Sequence, residues 1–155
     1  QVTEILRRSY FNIKNIKPDV LVSCAVFPNA NDSRNLKMQN WQSWIEEGIV
    51  DFVVPMAYTP DTQVFKEHME KVIKVSSSTP VFAGIGAYLM LEDPKDCIEK
   101  INTARELGVS GIVLFSYDAI RAKDDYWKAF INGPFSEYVR GPRYNYSVDD
   151  IGAGY

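Results

Sequence analysis

Reactive side chains are scarce in this 155-residue chain, which has two cysteines and one histidine. Cys24, Cys97 and His68 form no C-x-x-C or H-x-x-x-H spacing, so neither a disulfide framework nor a metal site has the residues to build it. The two thiols read as buried small hydrophobes, and His68 as an exposed position on an amphipathic helix. No cofactor is expected. Lys and Arg never cluster, and with a net charge of −3 the chain lacks the basic footprint that nucleic acid requires. No apolar stretch reaches the roughly 18 residues of a membrane span, so no transmembrane segment is expected. Gln1 stands where an initiator Met would, and Val2, Ile5, Leu6, Ile13 and Ile16 already keep helical spacing. The expectation is a part of a longer polypeptide.

What the chain does have is an ordinary globular composition, 46% hydrophobic and 24% charged, and a regular beat. Four short apolar runs, Val20 to Val26, Phe52 to Tyr58, Val81 to Tyr88 and Ile112 to Tyr117, start about 30 residues apart, the length of one strand plus one crossover helix. Helical stripes fill the intervals. Trp41, Trp44 and Ile45 lead to Gly48; Phe65, Met69, Val72 and Ile73 follow Pro60 and Asp61; Cys97, Ile98, Ile101, Ala104 and Leu107 follow the start signal Asp93-Pro94 and end at Gly108. Trp41 and Trp44, being on such a stripe, read as core. A last helix is predicted from Asp124 to Ile131. The pattern predicts βα units and a parallel sheet, its strands covered on both faces and its functional residues at the strands' C-terminal ends.

Two architectures accommodate four such units: an open doubly wound sheet, complete at this length, or the C-terminal half of a closed (βα)8 barrel, which needs roughly 250 residues. A doubly wound nucleotide-binding fold carries a glycine-rich phosphate turn after its first strand, whereas Phe27-Pro28-Asn29-Ala30-Asn31 has no glycine. The one G-x-G, Gly84-Ile85-Gly86, lies inside a predicted strand and reads as close strand packing.

The block Trp41-Gln42-Ser43-Trp44, with Gly48, Asp51, Pro55 and Tyr58 following at fixed spacing, resembles the W-x-x-W-x-x-x-G-x-x-D-x-Φ-x-P-x-x-Y signature of the glycosyl-hydrolase-like family 10 proteins, a group of bacterial (βα)8 barrels. Ile16 to Val20 resembles the approach to that family's fifth strand, and Ala104 to Tyr117 its last helix and strand, so the resemblance spans about residues 1–131. It implies that residues 1–132 supply strands five to eight of a TIM barrel, followed by an irregular aromatic tail over 133–155. It also implies that the family's acidic motif, at the end of its fourth strand, lies upstream of Gln1. The implied location is secreted or cell-envelope, periplasmic or lipid-anchored.

Glycoside hydrolysis uses two carboxyl groups flanking the scissile bond. Among the strand ends here Asp118, directly after Tyr117, is the candidate catalytic acid. Asn29, Tyr58, Tyr88 and Tyr117 would project from the four strand ends toward one rim, where rings can stack on sugar faces and hydroxyls can bond sugar hydroxyls. The reading is a glycoside hydrolase cleaving O-glycosidic bonds of a polysaccharide or peptidoglycan glycan. Its partners would be the oligosaccharide substrate and the N-terminal half of the same polypeptide, and this stretch alone would be inactive. A non-catalytic carbohydrate-binding barrel and a phosphate-ligand α/β enzyme are the alternatives.

Overall fold

Side-chain caps and two glycines set where the elements begin and stop in the computed structural model, which describes residues 1–137. Asn29, Asp61 and Asp93 each turn a side-chain oxygen onto backbone N–H groups one turn ahead and so start α2 (Ala30–Lys37), α4 (Thr62–Val75) and α5 (Pro94–Glu106). Gly48 and Gly108, at φ of 66° and 76°, adopt the left-handed conformation open to glycine and end the turns after α3 (Trp41–Glu46) and α5. Each glycine leads within four residues into a strand: β2 (Phe52–Pro55) and β4 (Gly111–Phe115). The helix-stop-to-strand unit that the sequence uses twice is thus one structural device. The remaining elements are α1 (Val2–Ile16), β1 (Ser23–Val26), β3 (Phe82–Gly86), a 3-10 turn at Ala87–Leu89, α6 (Tyr117–Ile120) and α7 (Asp124–Asn132).

All four strands are parallel and lie in chain order. β1 pairs with β2 from Ser23 opposite Phe52, and β3 with β4 from Phe82 opposite Gly111. Parallel bridges Val53–Val81 and Met56–Gly84 join the two pairs. The spacing of the apolar runs predicts this order and direction; the strands are shorter than the runs because the runs' polar and aromatic ends leave the ladder.

The helices cover one face. Val26, Val53, Ala83 and Ile85 on the strands pack in one core with Trp41 and Trp44, with Phe65, Met69 and Val72 of α4, with Cys97, Ile101 and Ala104 of α5, and with Tyr126 and Phe130 of α7. Both tryptophans also satisfy their ring N–H groups, Trp41 on the Phe27 carbonyl at 3.1 Å and Trp44 on the Thr3 hydroxyl at 2.9 Å. On the other face the alternate residues Ser23, Ala25, Val113 and Phe115 are exposed. Covering on both faces, expected from unbroken apolar runs, is therefore not met among the described residues. The helices return on the same side of the sheet, and the opposite side is exposed along the outer strands β1 and β4, while Val54 of β2 is buried.

α1 forms where the helical spacing predicts it; none of its residues is buried, and Ile5, Phe11 and Ile16 are exposed. It is held through Trp44, an Arg7–Glu47 pair at 2.7 Å and a Lys14–Asp51 pair at 2.9 Å. His68 is half-buried rather than exposed, its Nδ1 enclosed and bonded to none of the described residues. Gly133 to Glu137 forms turns and bends; the rest of the tail expected over 133–155 lies outside the described residues. Among the described residues no helix is long and apolar enough to cross a membrane.

Candidate functional site

The loops that follow the strands are fixed from behind by long donors in the helix layer. Besides Trp41 on the Phe27 carbonyl, Lys100 of α5 reaches the Pro60 carbonyl at 2.7 Å and the Thr62 hydroxyl at 3.1 Å. Lys123 donates to the Leu91 carbonyl at 2.8 Å, and Tyr126 to that of Asp93 at 3.4 Å. Lys100 is fully buried, and burial pushes its ammonium below the ordinary lysine range against the opposing pull of Asp96 and Glu99. Its ammonium ties α5 to the loop after β2 at Pro60 and to the first residue of α4, Thr62.

On these loops three rings meet. Tyr58, just past β2, stacks nearly parallel on Phe115, the last residue of β4, with centroids 5.5 Å apart and planes at 12°. Tyr88 stands edge-on to both, 6.0 Å from Tyr58 and 6.0 Å from Phe115. Gly86 makes the meeting possible: a Cβ there would sit 3.0 Å from Tyr58 and 3.2 Å from Tyr88. Tyr58 is half-buried, and burial first, then the neighbouring Tyr88, raises its phenol above the ordinary value. It is therefore a protonated donor at neutral pH. Neither hydroxyl bonds to any of the described residues.

The structure places the other sequence-predicted residues apart from this trio. Tyr117 pairs with Trp127 at 6.1 Å and is 67% exposed. Asn29 spends its carbonyl oxygen as the α2 cap, receiving the N–H groups of Asn31 at 3.1 Å and Asp32 at 3.2 Å. Asp118 lies in the first turn of α6 with its side chain 84% exposed, 3.8 Å from Arg121. Phe115, Gly86 and Lys100 were not singled out from sequence as site residues. Phe115 had a signal in the alternation of the fourth run: it stands two residues beyond Val113 and so shares that residue's face.

Gly84 of the G-x-G has no room for a ligand. A Cβ there would come 2.6 Å from the Pro55 carbonyl oxygen, so β3 passes directly against β2. Close packing accounts for both glycines. Among the described residues no three of His, Cys, Asp and Glu gather as a metal site would need.

Asp51, the acid of the tryptophan-rich block, sits at the opposite end of the sheet. Its carboxylate accepts the Val22 N–H at 2.6 Å and the Tyr10 hydroxyl at 3.3 Å, and pairs with Lys14. Its role is to join α1, β1 and β2. In comparison with known proteins, the chain matches the family described as glycosyl hydrolase-like 10 over residues 1–95, a span that contains this block and ends before α5 is complete. The similarity read at residues 104–117 lies beyond that span. No curated protein matches the chain. With well over half of its length matched, the chain belongs to the glycosyl hydrolase-like 10 family.

Proposed function

We propose that the chain is strands five to eight of a (βα)8 barrel whose complete form hydrolyses O-glycosidic bonds of a polysaccharide or peptidoglycan glycan, outside the cell or in its envelope. The observation that carries this is the aromatic trio at the C-terminal ends of parallel strands, where α/β barrels place their chemistry, in a chain of a glycosyl-hydrolase-like family. The open sheet face supports the barrel half: its exposed Ala25 and Val113 suit an inner wall that four more strands would complete. Tyr58 and Tyr88 bind sugar in this reading, with Tyr117 and Asn29 farther along the rim. Asp118 is the acid this chain contributes, and the main catalytic acid lies upstream.

The test is turnover of peptidoglycan glycan and of soluble β-glucans by the complete protein, by residues 1–155 alone and by Asp118→Asn. The reading expects cleavage by the first, none by the second, and a loss of turnover with unchanged binding in the third. Binding without cleavage in the complete protein would replace hydrolysis by a non-catalytic carbohydrate-binding barrel. Unchanged turnover in Asp118→Asn would remove Asp118 from the mechanism.

A further inference from the structure

The stacking geometry divides the rim differently from the positions of its tyrosines along the chain. We propose that Phe115 is the floor on which a pyranose ring of the glycan rests, with Tyr88 as its side wall and the hydroxyls of Tyr58 and Tyr88 as its polar contacts. The assignment rests on the carbohydrate reading above and names the residue that would do the stacking.

Phe115 is 51% exposed although it sits among aromatic rings. One of its faces is taken by Tyr58, nearly parallel at 5.5 Å, and one flank by Tyr88 at 86°. Half of the Phe115 surface nevertheless stays accessible beyond these two contacts. Tyr58 is thus a backing for Phe115, and its half-burial leaves it the hydroxyl rather than a ring face to offer. Tyr88, 42% exposed, rises beside the floor. Gly86 opposite Phe115 in the ladder keeps the three together, since a side chain there would press into both tyrosines.

The occupant follows from chemistry. Phenylalanine has no polar atom, so its exposed surface favours a flat apolar patch, while two neighbouring phenols bonded to none of the described residues favour hydroxyl partners at the edge of that patch. A pyranose with equatorial hydroxyls has this distribution: axial C–H groups on the ring face and hydroxyls around the rim. Phosphate would find no cationic or N–H donor in the trio, and a purely apolar ligand would leave both hydroxyls unused. Tyr117, in its separate pair with Trp127, is not part of the floor.

The test uses the complete protein with chitohexaose and cellohexaose as probes, binding read by calorimetry and folding by Tm. Phe115→Leu, which keeps an apolar backing for Tyr58 but removes the aromatic face, should weaken binding by about tenfold or more at nearly unchanged Tm. Phe115→Trp should bind and show an added indole emission change on titration that wild type lacks, a readout that packing alone does not supply. If wild type binds neither probe, the carbohydrate reading falls and the inference with it. If wild type binds while Phe115→Leu binds equally well and the Phe115→Trp emission does not respond, the inference alone is overturned.

Discussion

At the N-terminal ends of the strands the interactive groups are paired off, with Asp51 taking the Val22 N–H, the Tyr10 hydroxyl and the Lys14 ammonium, and Phe52 stacking on Phe82 at 4.4 Å. At the C-terminal ends Tyr58, Tyr88 and Phe115 also form a cluster, but two phenol hydroxyls there bond to none of the described residues and Phe115 keeps half of its surface exposed. Both ends are aromatic, and both belong to the same four strands. The difference is satisfaction. A group with its partner already in the fold contributes to stability, and a positioned group without one is available to a ligand. The donors in the helix layer belong to this contrast, because Trp41, Lys100, Lys123 and Tyr126 fix the rim from outside and leave its inner side unused.

The largest effect that bears on the contrast is expected from Trp41, a Trp that could in principle be a sugar platform. It is buried and bonded to the Phe27 carbonyl, so Trp41→Ala should cost about 3–5 kcal/mol in a denaturant titration. Full stability with lost glycan binding would move it to the rim class. Gly84→Ala comes next. Its Cβ would strike the Pro55 carbonyl, a backbone atom that can yield only by shifting β2 against β3, and the expected cost is about 1–3 kcal/mol. A neutral result would mean that the strands are less closely set than described.

A smaller effect comes from the buried thiol and phenol at the α5–α7 contact. Burial pushes Cys97 from 9.0 to about 11 and Tyr126 from 10.0 to about 12. Both folded values are raised, so above the ordinary values the unfolded chain ionises while the fold keeps its protons. The stabilisation is complete below pH 9.0 for Cys97 and 10.0 for Tyr126, and is lost as the pH rises through about 11 and 12. Urea midpoints measured from pH 8 to 12 should therefore fall less steeply in Tyr126→Phe than in wild type above pH 10.0. Parallel curves would show that the Tyr126 hydroxyl titrates normally.

The sequence made the repeating part of the fold legible and left the asymmetric part hidden. Period and punctuation, such as Asp93-Pro94 before a helix and Gly108 after it, are local properties, and they placed four strands, their order and the helical stripes. Whether the second sheet face is covered depends on elements far away or on other segments of polypeptide, which an apolar run such as Ile112 to Tyr117 does not encode. The same limit applied to the site. Strand-end position identified Tyr58 and Tyr88; alternation puts Phe115 on the same face as Val113, but only the tertiary stack that joins β2 to β4 brings it together with the two tyrosines. Lys100 was masked by its charge: a lysine on a helix reads as solvated until the carbonyl it serves, 40 residues away at Pro60, is known.

The two ends of the sheet are compared most directly by a crossed pair of variants in the complete protein, Tyr88→Ala and Asp51→Asn, each measured for chitohexaose affinity and for Tm. Tyr88→Ala should weaken binding by about tenfold and leave Tm in place. Asp51→Asn should cost about 1–2 kcal/mol, read as a fall of a few degrees in Tm, and leave affinity in place. Equal loss of affinity and stability in Tyr88→Ala, or lost affinity in Asp51→Asn, would contradict the division of the sheet into a binding end and a holding end.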